Sequence, residues 1–482
     1  MPTRSEVQRH STRKSCWIII HDSVYDVTEF IDEHPGGSGM LLQYAGLDAT
    51  EAFEPLHHTD TLAKYLTPEQ HMGTVTEDSS DVRYTPSELE PKVTPFSQRK
   101  VKLSSIVSIS DFDLAAQQLL PKTAYACKST WPVTIIIVCT NQTTVLKSGA
   151  EDEYATTWNR DSWKAIRFRP RVLRPIESCH TSRSILGTSF SAPFFICPAG
   201  GAKLAHPQGD LCLTKAAARH GILHWTCSNS SFPLSEMAKG RAPGQITFWQ
   251  IYAMADLADT ERQVKRAVEL GYKGFALTVD AIRSGKRESD IRANITVDED
   301  GEDGEEDESF TRGPTVKRAP VWPSFNWVSA VTWLRGLTAL PIAIKGIQCW
   351  EDAALCMKCG VHPWLSNHGG RQLDGAPSAA ETLVSIRKHC PEVFDKCEVI
   401  VDGGITRGSD IVKAIALGAT AVGLGRAFLY SIVFGEAGAR KAIRILAHEV
   451  ETTMALLGVT SLDQLDSSYV SFPTSTGLET IS

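Results

Sequence analysis

The sequence has no apolar run long enough to cross a membrane. None of its 482 residues falls in a window approaching the roughly 18 to 20 uninterrupted apolar positions that a spanning helix needs, and the richest patch, around 134–139, is far shorter. It also lacks an excess of positive charge: the formal net charge is −7, so there is no basic surface of the kind that nucleic acid requires. Its 12 cysteines form no regular framework, which points to a reducing compartment rather than a disulfide scaffold. The N-terminus, MPTRSEVQRHSTRKSCWIII, has no extended apolar segment of the secretory kind. Its basic residues give it a transit-peptide flavour, but strand-like CWIIIHDSVYDV follows at once and is read as the start of a folded domain.

What is present is a soluble-type composition, 42% hydrophobic and 22% charged, in a chain too long for one ordinary core. Residues 1–75 are rich in His and aromatics. Residues 76–102 are polar with several prolines, the composition of a linker. From 103 to 482 short apolar runs alternate with helix-like stretches: PFFICPAG, ILHWTCS, ITFWQIY, GFALTVD, PIAIKG, HPWLSNHG, EVIVDGG and AVGLGRA. Eight strands alternating with helices predict a parallel α/β (β/α)8 TIM barrel, behind a small α+β domain. The acidic block at 298–308 makes 295–320 a mobile, solvated loop near the barrel mouth. A lone CxxC, Cys356 and Cys359, sits in a helical pattern; helix packing explains it more simply than redox or zinc chemistry.

In the small domain, EHPGG carries His34, and FEPLHH carries His57 and His58. Two imidazoles from separate segments can ligate a haem iron on both faces, with Pro35, Gly36 and Gly37 turning the chain behind the first; histidines beside a surface turn are the plain alternative. EHPGG, AGLDAT and FEPLHH together resemble the cytochrome b5 family. That resemblance implies a b-type haem with His34 and His57 as axial ligands, and His58 as the alternative to His57.

In the barrel, polar residues gather at the strand ends: Gln250 and Tyr252 in WQIY, Asp280 in LTVD, Lys345 in PIAIKG, His368 and Arg371 in SNHGGRQLD, and Asp402 and Gly404 in DGG ahead of Gly425 and Arg426 in GLGR. A base with a carboxylate partner, an anion-binding arginine and glycines beside a second arginine suit a phosphorylated cofactor and an acidic substrate. LPKTA, AHPQG and these motifs together resemble the FMN-dependent 2-hydroxy acid dehydrogenase and oxidase family. The resemblance implies that His368 takes the substrate α-proton, that Asp280 stabilises the resulting imidazolium, and that Arg371 and Tyr252 hold the carboxylate, with Arg287 as a second cation. It implies Lys345 beside the flavin N1–O2 edge, Pro198, Ala199, Gly200, Cys227, Gln250 and Thr278 around the ring, and Asp402, Gly404, Gly425 and Arg426 at the ribitol and phosphate.

The haem domain ahead of such a barrel resembles the flavocytochrome b2 family. This implies oxidation of an L-2-hydroxy acid, L-lactate foremost, with electrons passing singly through the haem to cytochrome c, and a homo-oligomer, commonly a tetramer. The location it implies is the mitochondrial intermembrane space; the lack of a clear presequence leaves the cytoplasm open. An oxygen-using oxidase and an inactive haem-binding electron carrier are the competing expectations. Several positions depart from the family pattern. Cys227 stands where Ser is common and Thr406 where Arg is common, with Ser228 and Arg407 beside them as candidate substitutes; Gly200 replaces an Ala, which enlarges the pocket.

The largest departure is YACKSTWPVTIIIVCTNQTTVLKSGAEDE, which interrupts the family helix LPKxxxxYYxSGAED and puts Cys127 at the position of its substrate-binding Tyr. A surface insertion, a membrane-contacting segment and a translated intron all compete. Codons favour the intron. Cys-Lys-Ser can contain GTAAGT, Thr140-Asn141 can be ACT-AAC, and an AG can close within Thr144-Val145, so that excision from codon 127 to codon 145 keeps the frame and restores the family spacing. The retained-intron insert is thus placed at 129–145.

Overall fold

The computed structural model describes residues 2–31, 34, 38–53, 57, 61–76, 101–120, 147–254, 256–289, 324–474 and 477–479. The expected insert at 129–145, the acidic loop at 295–320, nearly all of the linker at 76–102, and His58 lie outside the described residues.

The N-terminal unit starts with a short helix, Arg4–Arg9, whose N-cap Thr3 accepts a hydrogen bond from the Glu6 amide. A four-stranded antiparallel sheet follows, with Ser15–Ile20 and Ser23–Asp26 as its central hairpin. The two residues between those strands, His21 and Asp22, both have positive φ (48° and 61°), as a two-residue turn matching strand twist requires. The inward face, Cys16, Ile18 and Ile20, packs with Val27, Ile31, Leu41, Ala45, Ala49 and Phe53 into its own core. The chain closes on itself: the Thr76 amide donates to the Pro2 carbonyl at 2.9 Å, so entry and exit of this unit lie side by side.

Beyond residue 103 the eight expected strands all form. They are β1 (Phe194–Ile196), β2 (Leu223–Cys227), β3 (Thr247–Ile251), β4 (Phe275–Thr278), β5 (Ile342–Ile347), β6 (His362–Leu365), β7 (Ile400–Asp402) and β8 (Ala421–Leu424). They pair in parallel and close β8 onto β1 through Val422 opposite Phe194. Strands covered on both faces read as continuous apolar runs rather than alternations, which is why β-branched and aromatic residues fill them. Inside the barrel, bulky Phe195, Trp225, Phe248 and Trp364 interleave with small Ala276, Ala343 and Ala421. The Trp225 ring centroid lies 4.9 Å from Phe248 and 5.1 Å from Trp364, so the interior is filled and forms a solid floor. A hairpin of Arg183–Ile185 and Thr188–Phe190 adds Ile185 and Phe190 to the same interior cluster.

Helices wrap the outside, from Gly209–His220 after β1 to the long Gly435–Leu457 after β8. Cys356 is wholly buried in the helix Trp350–Lys358, and Cys359 caps that helix. The register between β5 and β6 shifts between Lys345 and Ile347, at Gly346 with φ 115°. Such a bulge re-aims the side chain beside it, here Lys345. A Cβ on Gly346 would stand 2.6 Å from the Asp280 Cβ, so this position admits only glycine. Among the described residues, no helix is long and apolar enough to cross a membrane.

Candidate active site

A cavity of about 290 Å³ opens at the C-terminal ends of the barrel strands, the end where barrel enzymes place their chemistry. His368 stands in its wall on a turn in which three successive residues, His368, Gly369 and Gly370, have φ of 60°, 68° and 78°. The two glycines adopt this conformation freely; His368 does so at a cost of order 1 kcal/mol, a strain of the kind that collects at functional sites. The turn brings His368 Nδ1 to 2.8 Å from Asp280 Oδ1. The side chain of Asp280 is almost completely buried. Burial alone would raise the Asp280 carboxyl, but His368 and Lys345 outweigh it and hold its pKa below the usual value. Burial pushes the His368 imidazole down, aided by the charges of Lys345 and Arg287 and opposed by Asp280; the net shift is downward. His368 is therefore a neutral imidazole near pH 7, with Nδ1–H donated to Asp280 and Nε2 left basic.

Lys345 is held by a buried network. Its Nζ donates to Ser366 Oγ at 2.8 Å and lies 3.3 Å from Asp402 Oδ2. Asp402 also accepts from Ser366 Oγ at 2.6 Å and from Trp364 Nε1 at 2.9 Å. Burial opposes the Lys345 ammonium, but Asp402 and Asp280 prevail and keep its pKa above the ordinary value. The result is a permanent positive charge in the cavity wall. Asp402 lines the cavity too, but its oxygens are engaged by this network.

The arginines fix the segment that follows residue 146. Arg371, 2% exposed, donates from Nη1 to the Ser148 carbonyl at 2.6 Å, and Arg426 donates to the carbonyls of Lys147 and Gly369. The Ala150 amide donates to the Gly370 carbonyl at 2.8 Å. Residues 147–150 are thereby bound directly against the His368 turn. Gly404 serves packing as well as lining: a Cβ there would overlap the Asn159 carbonyl oxygen.

Pro198, Cys227, Gln250, Tyr252, Thr278, Lys345, His368, Arg371, Asp402, Gly404, Gly425 and Arg426 line this cavity. Asp280 stands behind His368, and the charge of Arg287 is felt at His368. Ala199 and Gly200 are buried but do not line the cavity. Arg407 is also absent from the wall: its Nη1 is drawn to Glu449 Oε1 at 2.9 Å, on the helix Gly435–Leu457, so it does not substitute at Thr406, which lines the cavity itself. Sequence reasoning overlooked Ser366, the bridge between Lys345 and Asp402, although it lies inside SNHGGRQLD. It also overlooked Arg160 and the buried phenol of Tyr430, which line the same cavity and which no motif marks.

In the N-terminal unit, His57 stacks on Phe53 with ring centroids 4.0 Å apart, and its Nδ1 lies 3.2 Å from the Phe53 carbonyl. Donation from Nδ1 leaves Nε2 as the free lone pair, the tautomer a metal ligand needs. Burial, against the pull of the Phe53 carbonyl and with the help of the neighbouring His34, brings the His57 pKa down to about 4. His34 stands edge-on to Phe30 at 5.7 Å.

Residues 139–472 match the family described as FMN-dependent dehydrogenase, and residues 3–76 match the cytochrome b5-like heme/steroid binding domain. L-lactate dehydrogenase (cytochrome) of Wickerhamomyces anomalus is 35% identical over 464 residues, covering 95% of this chain and 78% of the relative. Glycolate oxidase 3 of Oryza sativa is 35% identical over 376 residues, covering 76% of this chain and 96% of the relative. Among solved structures, a double mutant of flavocytochrome b2 with pyruvate bound superposes with a TM-score of 0.68 at 32% identity, covering 78% of this chain and 89% of that one.

Proposed function

Since the chain belongs to the FMN-dependent dehydrogenase family and carries a cytochrome b5-like domain ahead of its barrel, we propose that it oxidises an L-2-hydroxy acid, L-lactate foremost, and passes the electrons to a cytochrome c-type acceptor. Its cofactors are FMN and a b-type haem. The barrel residues fit FMN. Gln250 donates to Thr278 Oγ1 and the Ile251 carbonyl, while its Oε1 is buried with no partner among the described residues, an acceptor ready for a ring N–H. Lys345 supplies fixed positive charge where negative charge would gather on reduction. At Gly425 a Cβ would meet nothing nearer than the Cys197 Cβ at 3.8 Å, so the protein's own packing does not demand a glycine and the backbone stays open to a ligand beside Arg426. His57 and His34, standing among apolar and aromatic residues, fit the haem iron.

Bound FMN supplies the two-electron acceptor that hydroxy acid oxidation requires. The chain's own residues do the rest. Arg371 and Tyr252 hold the substrate carboxylate, Arg371 as a buried fork suited to two parallel hydrogen bonds. With C2 set before His368, Nε2 takes a proton as the hydroxy acid loses two electrons and two protons to become the 2-oxo acid. Asp280, on the far side of the ring, stabilises the charge that His368 gains. The His368–Asp280 pair set in the cavity wall is the single observation that carries this reading. Adding L-lactate anaerobically should bleach the flavin and then bring up the reduced haem bands; prompt peroxide formation in air with an oxidised haem would favour an oxidase instead.

Asp280→Asn should lower kcat by about a hundredfold or more, because imidazolium formation loses its counter-charge. The sign of its pH effect follows from the geometry. Asp280 is the group that raises the His368 pKa, so removing its charge lets that pKa fall further. The acid limb of kcat/KM, where His368 becomes protonated, should move to lower pH in the variant, and a pH–rate profile checks this.

We read the chain as a haem domain at 1–75, a tether at 76–102 that keeps donor and acceptor at high local concentration, and the barrel domain at 103–482. The close seating of residues 147–150 on Arg371 and Gly370 supports reading the preceding 129–145 as a retained intron, because the family spacing resumes at the point where this seating begins. Sequencing cDNA across the site should find the main mRNA population without codons 127 to 145; a main population retaining them would overturn that reading.

A further inference from the structure

The loop leaving β2 carries polar side chains that no described residue satisfies. Nearly everything else in it is tied down. The Ser228 amide donates to the Gln250 carbonyl at 3.0 Å, and the Asn229 amide to Cys227 Sγ at 3.2 Å, so the loop is pinned to two residues that line the cavity. Ser230 Oγ donates to the Phe232 carbonyl at 2.8 Å, the Ser231 amide to Asp210 Oδ2 at 2.9 Å, and Ser231 Oγ accepts from the Lys203 amide. Three atoms remain: Ser228 Oγ, Asn229 Oδ1 and Asn229 Nδ2 are all shielded from solvent with no hydrogen-bond partner among the described residues.

Folded proteins leave few buried polar atoms unpaired, because each costs about 1 to 3 kcal/mol. Three such atoms on two successive residues, beside the cavity and at the catalytic end of the barrel, mark a place where a ligand completes the bonding. The geometry points to Asn229 and Ser228 as a subsite for the substrate's side chain that takes a 2-hydroxy acid bearing a further hydroxyl. This inference rests on the reading of the chain as a 2-hydroxy acid dehydrogenase. Donor and acceptor lie together on the Asn229 amide, and a hydroxyl both gives and receives a hydrogen bond, so it satisfies both. An ethyl group reaching the same depth would bury the amide unsatisfied, and a carboxylate would face Oδ1 with no proton to offer it.

The test uses purified holoenzyme and a near-isosteric pair, L-glycerate and L-2-hydroxybutanoate, which differ at the outer atom by hydroxyl against methyl. The subsite predicts a kcat/KM at least about tenfold higher for L-glycerate, and a loss or reversal of that ratio in Asn229→Leu. Binding of the corresponding 2-oxo acids, followed by calorimetry, should show the same preference in the wild type and its loss in the variant. Should Asn229→Leu fail to fold, the wild-type ratios in both measurements still decide. Equal or better use of L-2-hydroxybutanoate would overturn the subsite while leaving 2-hydroxy acid oxidation intact. If neither acid nor L-lactate reduces the flavin, the parent reading fails, and the subsite with it.

Discussion

Replacing His368 by glutamine should lower kcat for L-lactate by about a thousandfold or more, while bound flavin and its spectrum are retained. Glutamine approximates the reach of imidazole and can still meet Asp280, but it cannot accept a proton. The loss should therefore fall on kcat rather than KM. The imidazolium charge would also be lost, so the variant should bind an anionic inhibitor such as oxalate less well at low pH, where wild-type His368 is protonated and attracts it. Steady-state kinetics beside flavin absorbance separate this from general misfolding. A variant that kept a tenth of the wild-type rate would remove His368 from the proton-transfer role.

The second large effect is expected in the N-terminal unit. His57→Ala should abolish the haem absorption bands and, with them, substrate-driven reduction of cytochrome c, while L-lactate still bleaches the flavin. The reason is local: Phe53 stacks on the His57 ring and its carbonyl takes Nδ1–H, so this imidazole is held with Nε2 turned to a ligand. Retained haem bands would instead point to His58 as the axial partner.

Much of this architecture is legible in the residues. The eight strands are legible because parallel barrel strands are buried on both faces and so read as compact apolar runs ending in polar residues. The site is legible for the same reason, as strand ends deliver their last side chains to one cavity. What the residues do not give is direction. Arg407 sits next to a cofactor motif, yet Glu449, 42 positions further on, draws it outward. Ser366 carries no chemistry by itself and matters only because the bulge at Gly346 turns Lys345 toward it. Tyr430 and Arg160 arrive from helices whose rotation no local pattern fixes. Asn229 is the clearest case: it is an ordinary loop residue in sequence, and it becomes informative only because its amide is buried with no hydrogen-bond partner among the described residues.

One chain oxidises a 2-hydroxy acid in its barrel and sends the electrons out through its haem. Stopped-flow mixing of anaerobic holoenzyme with L-lactate tests it most directly, by following flavin and haem absorbance together. Flavin bleaching should come first and haem reduction next, both at least as fast as turnover with cytochrome c. Flavin bleaching with a haem that stays oxidised on the timescale of turnover would contradict it.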